Sequence, residues 1–271
     1  MAMGGCRASS HGGFSDSLSA RRGTQRDVFS TSWSFLIGSL LSVFLTWGVP
    51  SAGQAASESS SPIKHVRTVI PILGTTMNAQ SEQVGIVAEI QLEFLQRRDH
   101  KGLDLQFLSR PGKFSPYAQQ SVKDALVLVV EAAGLNPDSW TVKFILPYPG
   151  VTLYGESLSA MAALNVVALA KNEPVDEETV LTGTVTADGH VGTVGGVPLK
   201  ILAAYEQRYR RVLIPEEPDV ADGDWETPFL MEVTPVGSIK HAYLALTHRP
   251  LRSHLNDQSL AASLAHVPPS Y

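Results

Sequence analysis

The sequence contains a single cysteine, Cys6, close to its N-terminus. One thiol at that position excludes a disulfide framework, a cysteine zinc cluster and a cysteine nucleophile from the folded part of the chain. The eight histidines follow no recognisable motif, and the phosphate-binding pattern G-x-x-x-x-G-K-[ST] is absent. We therefore expect neither a metal site nor a cofactor.

The chain also has fewer basic than acidic residues. The chain has 21 Lys and Arg residues against 26 Asp and Glu residues, which gives a formal net charge of −5. Proteins that bind nucleic acid usually present a basic face, so we expect no nucleic-acid partner. With 271 residues, 44% of them hydrophobic, the chain is long enough to form one or two domains with a buried core.

The N-terminal residues have the order of a secretory signal. Residues 1–32 form a polar region, residues 33–49 carry no charged side chain, and small residues follow. This order predicts a signal peptide at 33–56, with cleavage near Ala55 or Ala56. The alternative is an uncleaved membrane tether through 33–49, which is at the lower limit of length for spanning a bilayer. Either interpretation predicts a protein that is exported to the periplasm or the exterior, or anchored facing outward.

The folded part begins after a short linker at 57–63 and is expected to extend over 64–247, with a tail at 248–271. Alternating or β-branched runs predict strands, and apolar residues spaced by three and four predict helices. Together they predict one α+β domain with mixed strands and packed helices, whose first three strands are antiparallel neighbours. The expected strands lie at 65–73, 83–95, 103–109, 141–150, 179–194, 210–215 and 229–236, and the expected helices at 115–135, 157–171, 195–210 and 237–247.

Capping and turn residues support several of these elements. Ser115 is a candidate N-cap for the first helix, and Gly134 is a candidate stop. Asp188 and Gly189 form a strong hairpin signal within the strand pair at 179–194. His190 lies in the same turn, where we interpret it as solvated rather than catalytic.

Ser157 precedes an unusually apolar helix. Residues 158–170 contain only Ser159 and Asn165 as polar positions, and a helix that is apolar nearly all round is buried. Its N-terminus should therefore open into a cleft, where free N–H groups and the helix dipole favour negative charge. Ser157 is then either the N-cap of this helix or a nucleophile whose oxyanion intermediate forms at that N-terminus.

Lys200 lies on the apolar side of the helix expected at 195–210. Helical spacing places it next to Val197 and Ala204, and Ile201 adds to the apolar surroundings. Burial would lower the pKa of the amine, and a neutral amine can remove a proton from a serine hydroxyl. The alternative is a lysine whose stem covers the core while its ammonium reaches water.

Taken together, these segments resemble the proteolytic domain of Lon proteases. The family pattern is a nucleophilic serine after a glycine-containing turn, a buried helix, Pro-Val, Thr-Gly in a strand, a hairpin ending in Gly-Gly, and a lysine four residues later. The serine and lysine here are 43 residues apart, which matches the family without a gap. The resemblance covers about 83–247 and is densest over 153–217. The matching residues are Ser157, Pro174, Val175, Thr182, Gly183, Gly195, Gly196 and Lys200.

The resemblance implies a fold of the ribosomal protein S5 domain 2-like type and a serine–lysine dyad. Ser157 would attack the scissile carbonyl, and Lys200 would be the general base and then the general acid. Thr182 would orient the lysine, and backbone N–H groups near Ser157 would form the oxyanion hole. Gly155, Glu156 and Leu158 would support the site from either side of the serine.

The sequence departs from the family around its serine. The family usually has Asp-Gly-Pro before the serine and Ala-Gly after it, whereas this chain has Tyr154, Gly155 and Glu156 before it and Leu158 and Ser159 after it. Ser159 is a rival nucleophile, although the ungapped spacing favours Ser157. These changes support the alternative of a catalytically inactive domain that binds peptides or partners outside the membrane.

Lon proteases also carry an ATPase module, for which the sequence offers no phosphate-binding motif. Together with the predicted export signal, the resemblance therefore implies an exported, ATP-independent serine endopeptidase that cleaves unfolded or flexible polypeptides. The family assembles into rings, which leaves an oligomer open as an alternative.

Overall fold

The computed structural model of the chain describes residues 63–251. The polar region at 1–32, the signal or tether predicted at 33–56, and most of the linker and of the tail lie outside the described residues. None of the helices within 63–251 has the length and apolar character needed to cross a bilayer.

The described part is a mixed α/β structure, in agreement with the predicted α+β class. Its helices are α1 (Pro116–Ala132), α2 (Ser159–Lys171), α3 (Val197–Glu206) and α4 (Ile239–Thr247), with one 3₁₀ turn at Val220–Asp222. Its strands are β1 (Lys64–Met77), β2 (Gln83–Gln96), β3 (Asp104–Phe107), β4 (Lys113–Phe114), β5 (Trp140–Ile145), β6 (Thr152–Leu153), β7 (Thr179–Leu181), β8 (Thr184–Val185), β9 (Val191–Gly192), β10 (Arg211–Pro215) and β11 (Glu232–Val236).

The largest sheet has the strand order β1-β2-β5-β3. β1 and β2 form an antiparallel hairpin in register from Lys64 opposite Gln96 to Met77 opposite Gln83, which confirms that pairing. β3 was expected beside β2, but it pairs in parallel with β5. The prediction was wrong because α1 and the loops beside it carry the chain across the sheet between β3 and β5, and short-range sequence patterns do not report such a crossover.

The strand pair predicted at 179–194 is divided between two sheets. β7 pairs in parallel with β10, which is also parallel to β11. β8 and β9 form the short antiparallel hairpin around Asp188 and Gly189. The break falls at Thr182 and Gly183, where the Thr182 N–H donates to the carbonyl of Leu213 at 3.0 Å and the Gly183 N–H turns to the carbonyl of Ser157 at 3.0 Å.

Each of the four helices lies within a range predicted from the sequence, with shorter bounds. The Ser115 hydroxyl caps α1 by accepting from the Ala118 N–H at 3.1 Å, and the apolar stripe of α1 is buried. α2 is buried over residues 159–168 and contacts α1, α4 and the main sheet. Each fully buried large apolar side chain, such as Met161 or Leu164, contributes about 1.5–3 kcal/mol relative to exposure. Burial of this kind fixes α2, and with it the turn that carries Ser157.

The buried apolar residues form two clusters, which together position the site. The larger joins the main sheet to α1, α2 and α4. The smaller packs α3 against β1 and the β7–β10 sheet through Leu73, Val197, Ile201 and Val212. The serine segment is thus anchored to the first cluster and the lysine helix to the second.

Candidate active site

Ser157 and Lys200 line the same cavity, which has a volume of about 600 Å³. Its walls are β1 over 72–76, the segment 151–158, and the residues before α3 at 194–195. Gly155, Glu156 and Leu158, all predicted as supporting residues, lie in this lining. The cavity therefore collects side chains from separate parts of the sequence.

A turn places Ser157 just before α2. Its carbonyl accepts from the Gly183 N–H at 3.0 Å, and the Ser159 N–H donates to the carbonyl of Glu156 at 2.9 Å. α2 begins at Ser159, and its first turn has no side-chain cap hydrogen bond. The interpretation of Ser157 as the N-cap, and the expected helix start at 157, are therefore wrong. The carbonyl of Gly183 takes the capping role by accepting from the Ala160 N–H at 3.2 Å, so the Ser157 side chain is not needed as a cap.

Ser159, the rival nucleophile, is placed differently. It is fully buried at 0% exposure, and its hydroxyl has no hydrogen-bond partner among the described residues. Ser157 is only partly buried and lines the cavity, whose lining does not include Ser159. A substrate in the cavity would thus meet Ser157 first.

The residues on either side of Ser157 shape its approach. A Cβ added at Gly155 would lie 3.8 Å from Ser157 Oγ, so a side chain here would compete with substrate for space beside the hydroxyl. Within residues 63–251, the N–H groups of Ser157 and Leu158 donate to no backbone acceptor. These two donors, next to a helix N-terminus, are available to bind an anion.

Lys200 is buried in the first turns of α3. Only 3% of the residue is exposed, and Val197, Ile201 and Ala204 around it are buried as predicted. Burial lowers the pKa of its amine to about 8, while the Asp222 carboxylate opposes this by raising it. A substantial fraction of the amine is therefore neutral at mildly alkaline pH, as a general base requires.

Asp222 is the residue that sequence reasoning missed. Its Oδ1 accepts from the Gly196 N–H at 2.7 Å and its Oδ2 from the Val197 N–H at 3.0 Å, at the start of α3. Gly196 adopts a left-handed conformation with φ of 69°, which favours glycine. The carboxylate is 26 residues further along the chain, in an acidic loop, so no local spacing distinguishes it from its acidic neighbours. It fixes the beginning of the helix that carries Lys200.

Thr182 is buried next to the serine segment rather than in the cavity lining. It is fully buried, and the adjacent Gly183 exchanges two backbone hydrogen bonds with residues 157–160. The Thr182 hydroxyl has no hydrogen-bond partner in the described part of the chain. Its role in orienting Lys200 stays a prediction.

The direct contact expected between Ser157 Oγ and Lys200 Nζ also stays a prediction. Both residues face one cavity, and the hydrogen bonds formed among residues 63–251 do not include one between these two atoms. Catalytic hydrogen bonds commonly tighten only when substrate is bound. The geometry thus places a serine hydroxyl and a buried amine at the same cavity, where substrate binding would bring them together.

Gly85 controls how closely the lysine helix approaches the main sheet. A Cβ at Gly85 would lie 1.9 Å from the carbonyl oxygen of Leu199 on α3, a distance that forces the helix to move. We expect Gly85→Ala to destabilise the protein by about 1–3 kcal/mol, the usual effect of overpacking, and to lower its thermal midpoint. The matched control is Gly74→Ala, whose Cβ would make an ordinary 3.6 Å contact with Ile86. Equal thermal midpoints for the two variants would contradict this packing.

Comparison with known proteins agrees with this arrangement. Residues 130–224 match the family model described as the Lon protease (S16) C-terminal proteolytic domain. This part of the chain is therefore similar to a Lon-type proteolytic domain. The matched region contains Ser157, Thr182, Lys200 and Asp222, and therefore both walls of the cavity that hold the candidate dyad.

Curated Lon proteases are similar to this chain over 131 to 184 residues. An archaeal Lon protease of Thermoplasma acidophilum is 28% identical over 184 residues, covering 66% of this chain and 27% of the relative. That of Methanothermobacter thermautotrophicus is 32% identical over 132 residues, covering 47% and 20%. A Lon protease of Shigella dysenteriae is 30% identical over 131 residues, covering 43% and 16%. The chain thus spans about a quarter or less of the length of these relatives.

Proposed function

We propose that this chain is a serine-type endopeptidase in which Ser157 is the nucleophile and Lys200 the general base. The observation that carries the proposal is the cavity shared by a partly exposed serine and a buried lysine whose pKa is lowered to about 8. The match of residues 130–224 to the Lon proteolytic domain supports the same reaction class.

The reaction follows from the charges at the site. Neutral Lys200 removes the proton of Ser157 as Oγ attacks the scissile carbonyl, and the resulting oxyanion binds the N–H groups of Ser157 and Leu158. The lysine, now an ammonium, donates its proton to the leaving amine. Water then attacks the acyl-enzyme with the same base. Burial favours the neutral amine before attack, while the Asp222 carboxylate favours the ammonium after it.

The inactive alternative fits these observations less well. Burying the Lys200 ammonium lowers the stability of the fold. A domain that only bound peptides would gain nothing from this destabilising burial. Tyr154 and Ser159, which replace family residues, leave Ser157 in the cavity lining. The peptidase is therefore the function that the geometry supports best.

The proposed substrates are unfolded or flexible polypeptides, which can place an extended segment in a cavity of about 600 Å³. We further propose that cleavage is independent of ATP and takes place outside the cytoplasm, with 33–56 as the export signal and 33–49 as the tether if it is retained. Sequencing the N-terminus of the protein purified from its native host tests the export step. A start near Ala56 indicates cleavage, whereas an intact 33–49 segment indicates a tether.

The pH dependence of hydrolysis tests the assignment of Lys200 as the base. Because only the neutral amine accepts a proton, kcat/KM for a fluorogenic peptide should rise about tenfold per pH unit below about 8 and level off above it. Residual hydrolysis by Lys200→Ala should lack this rise. A rise of kcat/KM centred near the ordinary histidine pKa of about 6.5, or a rise that remains in Lys200→Ala, would rule out the lysine as the base.

A further inference from the structure

A second cavity adjoins the candidate active site. It has a volume of about 660 Å³ and is lined by Ser109, Arg110, Pro111, Lys113 and residues 150–152. Val151 and Thr152 line both cavities. The two spaces are therefore neighbours at the start of β6, so one extended polypeptide could pass from one to the other.

The second cavity is cationic. Arg110 and Lys113 are its only charged lining residues, both are exposed, and among residues 63–251 neither has a carboxylate within salt-bridge distance. Two unpaired cations in one concave space attract an anion. The formal net charge of the chain is −5, so the positive charge of this cavity is opposite in sign to the net charge.

The cationic wall is held in place by the backbone. Lys113 pairs with Thr152 in the parallel β4–β6 ribbon, and its N–H donates to the carbonyl of Val151 at 2.9 Å. Between the two cations, the Gly112 N–H donates to the carbonyl of Leu146 at 2.8 Å. A Cβ at Gly112 would lie 2.7 Å from the carbonyl oxygen of Tyr148, so this close approach requires glycine. The segment that presents both charges is thus fixed against the end of β5.

When Lys200 is neutral, the charge at the other end of the path has the opposite sign. Glu156 lies beside Ser157 in the lining of the catalytic cavity, where its carboxylate would repel an acidic side chain next to the scissile bond. Thr152 is five residues before Ser157, a span of at most about 18 Å for an extended chain. An acidic side chain of a bound substrate is therefore favoured in the second cavity, within about five residues of the bond that is cleaved.

We propose that Arg110 and Lys113 form a binding site for an acidic side chain of the polypeptide substrate, remote from the cleaved bond. The site deepens the proposed peptidase function and rests on it. It selects extended substrates that carry glutamate or aspartate at one favoured distance from the scissile bond, and uncharged segments in the same place bind less tightly.

The test is a glutamate scan with matched charge controls. Internally quenched peptides of one neutral sequence would carry a single Glu or Gln at each position within five residues on either side of the cleaved bond. At low ionic strength, Glu at the favoured position should raise kcat/KM about fivefold over Gln, as expected for partly exposed ion pairs. The preference should shrink with added salt. It should be lost in Arg110→Gln/Lys113→Gln and retained in Lys101→Gln/Lys240→Gln, which removes two exposed cations elsewhere.

A binding measurement separates this site from catalysis. The same peptides, labelled and titrated with the full chain carrying Ser157→Ala, should show the fivefold preference in Kd, and adding Arg110→Gln/Lys113→Gln should abolish it. If no peptide is cleaved but this binding preference holds, the binding site at Arg110 and Lys113 is supported and the peptidase function is contradicted. If peptides are cleaved but bound with no preference for Glu, the binding site at Arg110 and Lys113 is contradicted while the peptidase function is supported. The same conclusion follows if the preference for Glu remains in Arg110→Gln/Lys113→Gln.

Discussion

Ser157→Ala and Lys200→Ala are each expected to lower kcat/KM for peptide hydrolysis by about 10³-fold or more. The first removes the proposed nucleophile, and the second removes the proposed base that lines the same cavity. Because both residues act in one proton transfer, the double variant should be no less active than either single variant. The measurement is hydrolysis of a fluorogenic peptide at pH 8–9, with circular dichroism to establish that each variant is folded.

Two control variants make the loss specific. Ser159→Ala removes a neighbouring hydroxyl that is buried and without a hydrogen-bond partner in the described region, so activity should be retained. Lys240→Ala removes an exposed amine on α4 and should also retain activity. A large loss in Ser159→Ala together with full activity in Ser157→Ala would move the nucleophile to Ser159.

Lys200→Met is expected to stabilise the protein at pH 7 while abolishing hydrolysis. The folded-state pKa of Lys200 is about 8 against an ordinary value of 10.5, so at pH 7 folding confines a charged amine where burial disfavours it. That difference corresponds to about 3 kcal/mol of destabilisation, which Met, of similar shape, would remove. Urea unfolding at pH 7 gives the measured difference between the variant and the unmodified protein.

The same pKa values determine how the stabilisation expected for Lys200→Met changes with pH. Between about pH 8 and 10.5 the unfolded chain binds a proton at Lys200 that the folded protein has released, so the stability of the unmodified protein rises with pH. The advantage of Lys200→Met should therefore fall to about 1 kcal/mol by pH 9.5. Lys240→Met, at an exposed position, should show no comparable trend. A Lys200→Met variant that is less stable at every pH would mean that the amine is stabilised by partners rather than disfavoured by burial.

Local sequence patterns predicted the elements whose causes are local. Ser115 caps α1 as its position indicated, and the β1–β2 hairpin follows from two alternating strands joined by a short turn. The apolar neighbours of Lys200 at helical spacing predicted its burial, since residues three and four apart share a helix face. The apolar content of residues 158–170 likewise predicted that α2 is buried on all sides.

Features that depend on distant residues could not be predicted in this way. β3 joins the main sheet beside β5 in parallel, which depends on how the intervening chain crosses the sheet. The N-terminus of α2 is capped by the carbonyl of Gly183, a backbone group that no side-chain pattern marks. Asp222 accepts a hydrogen bond from Gly196, which is 26 residues away in the sequence. The sequence does not distinguish it from the other acidic residues of the same loop. The candidate pair could be proposed from the resemblance to the Lon family pattern, whereas the group that fixes the lysine helix needed the structure.

The central claim is that Ser157 is activated by Lys200, and covalent labelling tests it most directly. The full chain would be treated at pH 8.5 with a fluorophosphonate, which reacts with activated serine hydroxyls, and the modified residue would be identified by peptide mass spectrometry. We predict one adduct, on Ser157, that is absent in Ser157→Ala, strongly slowed in Lys200→Ala and unchanged in Ser159→Ala. An adduct on another serine, or labelling of Ser157 at the same rate when Lys200 is replaced by alanine, would contradict the account.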